Sequence, residues 1–177
     1  MGLAQPSEAL ADGYVGLGVG SDSEISGELA NHFDTNEETT NSRIVLGQRF
    51  GALALEASLF GSQLQGTGGM AGTEDYATIS LGVDLKYHVG LFGSFEGYGK
   101  IGLNKTWLSG DGDDSLGFEG RGEALGLGVQ YSFNVAVTQV GLWADYTVQH
   151  TELRDADRPE QLDGELGMFN LGISVGL

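Results

Sequence analysis

Three histidines, His32, His88 and His150, are the residues of this 177-residue chain best suited to moving protons near neutral pH, and hydroxyls near them are the nucleophiles they would serve. No His-x-Ser pair occurs; His150-Thr151-Glu152 is the nearest approach to a base beside a hydroxyl and a carboxylate. An acyltransferase or deacylase site would need separate segments to converge in space, and the plainer reading is three solvated histidines, so no enzyme is expected. Asp111-Gly112-Asp113-Asp114 offers carboxylates to calcium, but Ser115, Leu116 and Gly122 stand where an EF-hand needs its next ligand, its glycine and its closing glutamate. Gly16-Leu17-Gly18-Val19-Gly20 resembles a dinucleotide loop only superficially, because its alternation is strict and no helix follows. There is no cysteine, hence no thiolate metal site and no disulfide. Neither a metal nor a cofactor is expected.

Charge and composition narrow the classes further. Eight Lys and Arg stand against 25 Asp and Glu, a net charge of −17, which repels a phosphate backbone and excludes nucleic acid as a partner. Apolar stretches such as Ala124 to Val129 fall far below the roughly 18 to 20 residues of a membrane-spanning helix. Thirty-one glycines without a collagen period, and only 2 prolines, show that glycine is wanted for some other reason. Met1-Gly2-Leu3-Ala4 lacks the basic region and apolar run of a secretory leader, the pattern of a chain never given one or of a mature form restarted with a methionine.

Apolar residues recur at every second position in eight segments, the period of a two-faced β-strand. The segments lie around residues 13 to 21, 42 to 50, 53 to 60, 79 to 88, 95 to 103, 124 to 133, 140 to 148 and 168 to 177. Short turns are expected at Gly51-Ala52, around Val89 to Leu91 and around Asn134 to Ala136; long polar loops are expected at about 21 to 42, 62 to 75, 105 to 122 and 150 to 164. An antiparallel meander of eight strands with tight turns at one end and elaborate loops at the other is the plan of a small eight-stranded up-and-down barrel. Residues 1–12 form an N-terminal arm and 13–177 the barrel.

Alternation alone fits a soluble barrel with its apolar face inward just as well. The non-apolar face, however, carries Arg43, Arg49, Lys86 and Lys100 against Glu56, Asp84, Glu96 and Asp145, four of each sign among many glycines. A narrow polar lumen needs such a set, since small residues make room for long charged ones and each charge taken from water needs a partner. Glu56 and Lys86 are placed to form one pair, and Glu96 and Lys100 to form others. The remaining acids fall almost wholly in the expected loops and arm. Phe50, Tyr87, Tyr131 and Phe133 lie on the apolar face near the short turns, where a membrane interface collects an aromatic girdle.

With these features the chain resembles the transmembrane domain of the outer-membrane protein A family. The final strand, Gly167-Met168-Phe169-Asn170-Leu171-Gly172-Ile173-Ser174-Val175-Gly176-Leu177, is similar to the family's closing G-M-x-x-L-G-V-S-Y-x-F, and Gly128-Val129-Gln130-Tyr131, Ala144-Asp145-Tyr146 and Leu55-Glu56-Ala57 resemble its G-V-E-Y, L-E-Y and F-E-M segments. The resemblance implies an all-β transmembrane barrel in the bacterial outer membrane, with both termini in the periplasm and a structural or small-pore role. It also implies outer-membrane lipids, lipopolysaccharide and the barrel-assembly machinery as partners, and a monomer. The loops' own partner is unknown; a surface-interaction barrel of the OmpX/Ail type is the alternative role, and a lipid-modifying enzyme a more remote one. Of the family's lumenal charge gate, Glu56 and Lys100 match, whereas Gln130 stands for a glutamate, Trp143 for an arginine and Asp84 for a lysine. Leu177 stands where the family ends in phenylalanine. The resemblance covers the transmembrane domain alone, so cell-wall tethering by the family's periplasmic domain is not carried over.

Overall fold

Alternating side chains close one antiparallel sheet on itself in the computed structural model, which describes residues 13–34, 40–66, 75–110, 117–155 and 161–177. The strands are β1 (Gly13–Gly27), β2 (Phe33–Asp34), β3 (Thr40–Phe50), β4 (Leu53–Gly66), β5 (Asp75–Phe92), β6 (Phe95–Gly110), β7 (Gly117–Val135), β8 (Thr138–Asp155) and β9 (Gln161–Gly176). Their hydrogen-bonded order is β2-β4-β3-β1-β9-β8-β7-β6-β5, and β4 pairs with β5 as well. Setting aside the two-residue β2, eight strands form a ring in which every neighbour is antiparallel, the all-β barrel expected from the alternation. The first strand meets the last from Tyr14↔Gly176 to Gly27↔Gly164, so the ring leaves no free edge. The expected arm, residues 1–12, and the Asp111 to Asp114 run lie outside the described residues.

At one end the strands are joined by two-residue turns, Gly51-Ala52, Gly93-Ser94 and Ala136-Val137. Gly51 and Gly93 take φ of 65° and 55°, which glycine tolerates; Ala136 takes 54° and carries a Cβ into the left-handed region. Two of these turns fall later than the periodicity suggested. The strand expected to turn at Val89 to Leu91 runs on to Phe92 through an irregularity between Gly90 and Phe92, and the last turn moves past Asn134. The start of β1 and the end of β9 meet at this same rim, where Leu177 N–H donates to Gly13 O at 2.8 Å.

The larger difference lies at the opposite end. Much of what reads as long loop is strand: β4 reaches Gly66, β6 reaches Gly110, β7 begins at Gly117 and β8 ends at Asp155. The reason is visible along β8. Its inward residues run Trp143, Asp145, Thr147, Gln149, Thr151, Leu153, and its outward ones run Leu142, Ala144, Tyr146, Val148, His150, Glu152, Arg154. The geometric alternation never breaks, but its chemistry exchanges sides: near the turns the outside is apolar and the inside polar, and near the loops the inside is apolar and the outside charged. A sequence pattern keyed to one face loses its period at that exchange and reads as a loop. The acids assigned to loops are therefore in part on strands, with Glu119, Glu123, Glu152, Asp163 and Glu165 all outward and exposed.

The exchange marks where the apolar belt ends on the outer wall, and β4 offers a direct check. Leu59, well inside the apolar belt, and Gln63 share the outward face of one strand. Leu59→Arg should cost about 2 to 4 kcal/mol in refolding titrations into lipid, whereas Gln63→Arg should change stability by no more than about 0.5 kcal/mol. At the turn end, Ala136→Gly should stabilise the folded barrel by about 0.5 to 1 kcal/mol in the same titration, because it relieves the left-handed alanine.

Candidate functional site in the barrel interior

Inward positions of successive strands stack into three layers, which β5 reads out in order from loop end to turn end: Tyr76, Thr78, Ser80, Gly82, Asp84, Lys86, His88. The uppermost layer is apolar. Leu64, Tyr76, Leu108, Phe118, Leu153 and Leu162 point inward from the strands and close around Leu29 and Phe33, supplied by the 3₁₀ turn Leu29–Asn31 and by β2. Phe33 is 1% exposed and meets Tyr76 and Phe118 edge-on, with ring centroids 5.2 and 6.4 Å away. Two β-bridge pairs, Phe33↔Gly66 and Asp34↔Gln65, hold this insert against β4. Expected as loop, the segment is a cork.

Below it lies a neutral polar layer. Gln149 Nε2 sits 2.9 Å from Thr106 Oγ1, 3.1 Å from Thr151 Oγ1, 3.2 Å from Asn104 Oδ1 and 3.3 Å from Ser80 Oγ, and the Ser80 and Thr106 hydroxyls are 2.7 Å apart. A space of about 30 Å³, lined in part by Ser58, Ser80, Asp84, Asn104 and Asn170, separates this layer from the charges beneath. Asn104 Nδ2 and Asn170 Oδ1 are buried there without a hydrogen-bond partner, a setting suited to water and to little else of larger size.

The third layer holds the charges. Arg43 on β3 reaches three carboxylates: its Nη2 lies 3.0 Å from Glu56 Oε1 and 2.8 Å from Asp84 Oδ2, and its Nη1 lies 3.4 Å from Asp145 Oδ2. Lys86 Nζ is 2.6 Å from Glu56 Oε2, and Lys100 Nζ is 2.8 Å from Asp145 Oδ2. Tyr14 and Tyr98 donate their hydroxyls to Glu56 and Asp145 at 2.9 and 3.1 Å. Three cations and three carboxylates, all buried, thus cancel within one cluster, and bulk water touches almost none of it. Glu56 meets Lys86, the neighbour that adjacent strands allow, whereas Lys100 and Glu96, both on β6, take separate partners. Glu96 receives Arg49 through two contacts of 2.7 Å nearer the turns, where both side chains are about a fifth exposed.

Glycine makes this crowding possible. A Cβ at Gly126 would meet Lys100 Cε at 2.5 Å, and one at Gly47 or Gly172 would overlap the Tyr14 or Trp143 ring. From Gly120 to Gly128 the inward face of β7 carries nothing larger than Ala124, which leaves the lumen to side chains projected from other strands. Trp143 fills the turn side of the cluster, and Lys86 Nζ stands 4.7 Å from the Tyr98 ring centroid and 5.9 Å from that of Trp143.

The histidines do not assemble. His88, read as solvated, is 6% exposed inside the barrel, because inward parity on β5 carries it below Lys86; its ring centroid lies 5.2 Å from that of Tyr98, tilted by 36°, and its Nδ1 is 3.6 Å from Glu96 Oε2. His150 lies on the outer wall, 3.2 Å from Asp163 Oδ1 and 4.0 Å from Glu165 Oε1, and His32 follows the 3₁₀ turn. Among the described residues no group of His, Asp and Glu is arranged to hold a metal.

Outside, Phe50, Tyr87, Tyr131 and Phe133 face away from the barrel near the turns and are 37 to 57% exposed. Phe92 and Phe95 join them: centroids step 5.0 Å from Phe92 to Phe95, 4.7 Å to Tyr131 and 5.8 Å to Phe133, a continuous aromatic row across β5, β6 and β7. Tyr146, directly across from Phe169, and Trp107 supply outward aromatics towards the loop end. The sequence alone does not single out this second set. The parity of Tyr146 and Phe169 carries the signal, whereas Trp107 falls in a stretch read as loop.

A family model described as "Outer membrane protein beta-barrel domain" matches residues 1–176. Among solved structures, the chain is similar to the crystal structure of neisserial surface protein A, with a TM-score of 0.70 and 18% identity over 93% of this chain and 97% of that one. It is also similar to the solid-state NMR structure of the outer membrane protein AlkL in lipid bilayers, with a TM-score of 0.53 and 13% identity over 100% of this chain and 97% of that one. At such identities the likeness speaks for the fold. No curated protein sequence matches the chain.

The charge layer generates one quantitative expectation. Glu56→Gln leaves Lys86 buried without its carboxylate and Arg43 with two of its three, and should lower unfolding stability in detergent by about 3 to 5 kcal/mol, less to the extent that water relaxes into the lumen. Replacing Glu56 and Lys86 together by leucine and methionine should recover part of that loss, as read by the shift in denaturation midpoint.

Proposed function

The chain belongs to the outer membrane protein beta-barrel domain family, and from that premise we propose that it is a structural membrane barrel, closed to ions at rest, that holds an acidic rim above the bacterial outer membrane. The observation that carries this reading is the neutral, fully buried cluster of Arg43, Glu56, Asp84, Lys86, Lys100 and Asp145. An ion entering the lumen must separate charges that already satisfy one another, and it meets the apolar cork of Leu29 and Phe33 first. The two barriers stand in series, so weakening one leaves the other.

The long connections face outwards and the turns, with both chain ends, face the periplasm. Lipids and lipopolysaccharide cover the apolar belt, the barrel-assembly machinery engages the last strand, and the closed ring works as a monomer. The family is typically non-enzymatic, and the scattered histidines support the same view. A second reading, as a surface-interaction barrel, draws on the outward wall of β7, β8 and β9, where Glu119, Glu123, Glu152, Asp163 and Glu165 stand on rigid strand beyond the apolar belt. A partner for that wall would be cationic.

Planar bilayers test the primary reading. The unmodified barrel should show no sustained single-channel conductance, Phe33→Ala alone should leave it closed, and Phe33→Ala combined with Glu56→Gln should open it. A steady open level in the unmodified protein would instead make it a pore.

A further inference from the structure

Resting on the reading of the chain as a membrane barrel, we propose that Lys105, Arg121 and Trp107 form a site on the outer wall for the phosphate of an anionic lipid headgroup in the loop-end leaflet. Cations are scarce in this chain: of eight Lys and Arg, Arg43, Arg49, Lys86 and Lys100 turn inward and are engaged with carboxylates there. Among the described residues the outer wall keeps Lys105, Arg121 and Arg154. Two of these three are set directly against each other, Lys105↔Arg121 across β6 and β7, on the same face. Like charges directly opposed on a sheet repel, and a shared anion converts that repulsion into binding.

The local partners do not quench the pair. Lys105 Nζ lies 3.2 Å from Glu119 Oε2, at a site where both side chains are largely exposed, and 5.0 Å from the Trp107 ring centroid. Arg121 faces Glu152 across β7 and β8 and has Glu119 and Glu123 two residues away on its own strand. Its guanidinium nonetheless makes no ion pair among the described residues, which leaves its fork of donors for a phosphate. Of the nearby carboxylates, Glu119 and Glu123 flank Arg121 on β7 and Glu152 faces it from β8, while Asp163 and Glu165 lie one strand further off on β9, so the place left to an anion is on the β6 side of Arg121, between it and Lys105.

Depth selects the ligand. The next outward residue below Lys105 is Leu103, 68% exposed, and Leu125, 64% exposed, lies below Glu123. The cations therefore sit at the edge of the apolar belt, at headgroup height, beside an outward tryptophan of the kind that favours that interface. A lipid bound there places its acyl chains on the leucines and its phosphate between the two cations.

Native mass spectrometry of the folded barrel in mild detergent tests this with three probes: phosphatidylglycerol, phosphatidylcholine of the same acyl chains, and inorganic phosphate. Phosphatidylglycerol should be retained in preference to phosphatidylcholine. Lys105→Gln and Arg121→Gln should each weaken that retention about fivefold, while Arg154→Gln, with the same change of net charge, leaves it unaltered. Equal retention of the two lipids, or an equal loss in Arg154→Gln, would overturn the site; saturable binding of inorganic phosphate alone would overturn its assignment to a lipid. Heat-modifiable gel mobility certifies folding of each variant. An unmodified chain that never shows it would overturn the membrane-barrel reading, and the site with it.

Discussion

One guanidinium ties the interior together. Arg43 contacts Glu56 on β4, Asp84 on β5 and Asp145 on β8, so three walls of the ring converge on a single side chain. An eight-stranded barrel is too narrow to hydrate six charges separately. Each charge must find its opposite inside the wall, and the cluster's zero sum meets that constraint. The small inward residues of β7 and the room they leave for Lys100 and Tyr98 follow from it, because the long side chains that complete the cluster need backbone to lie against. Tyr14 and Tyr98 add hydroxyl donors to the two carboxylates that Arg43 shares with a lysine.

Above that cluster the structure has different rules. Within the apolar belt, the solvent outside is hydrocarbon, and the barrel keeps its polar groups inside. Beyond the belt the solvent outside is water, and the same strands carry an interior of leucine and aromatic rings, as a soluble barrel does. Phe33 and Leu29 belong to this second regime. They fill a core that the strands alone leave open at the top, which explains why the connection from β1 to β3 folds inward.

This exchange also decides what can be read from the amino acids. The eight alternating runs are legible because lipid outside and charge inside make the two faces chemically opposite at each step; Leu81, Val83 and Leu85 against Gly82, Asp84 and Lys86 leave no doubt about period. The inward parity of Arg43, Glu56 and Lys100 is legible in the same way. Their partners are legible only in part. Glu56 and Lys86 lie on adjacent strands within reach, whereas Arg43 with Asp145 spans the lumen between residues 102 apart, and that match depends on barrel stagger, which alternation does not encode. Strand ends fare worst. At Asn104, Lys105, Thr106 and Trp107 polar and apolar residues follow no constant face, because the environment changes within those few residues.

The 102-residue separation between Arg43 and Asp145 bears on how such a barrel reaches its membrane. The turns let neighbouring strands zip together early, since the residues they pair are close along the chain. The β3–β4 hairpin brings Glu56 to Arg43 and the next strand adds Lys86, but Asp145 waits for Lys100 from β6 and for Arg43 from β3. A sheet inserted strand by strand would carry these charges through hydrocarbon while they still lacked their opposites. Insertion and closure are therefore coupled: the sheet gains its full electrical neutrality only as it curls and its first and last strands join.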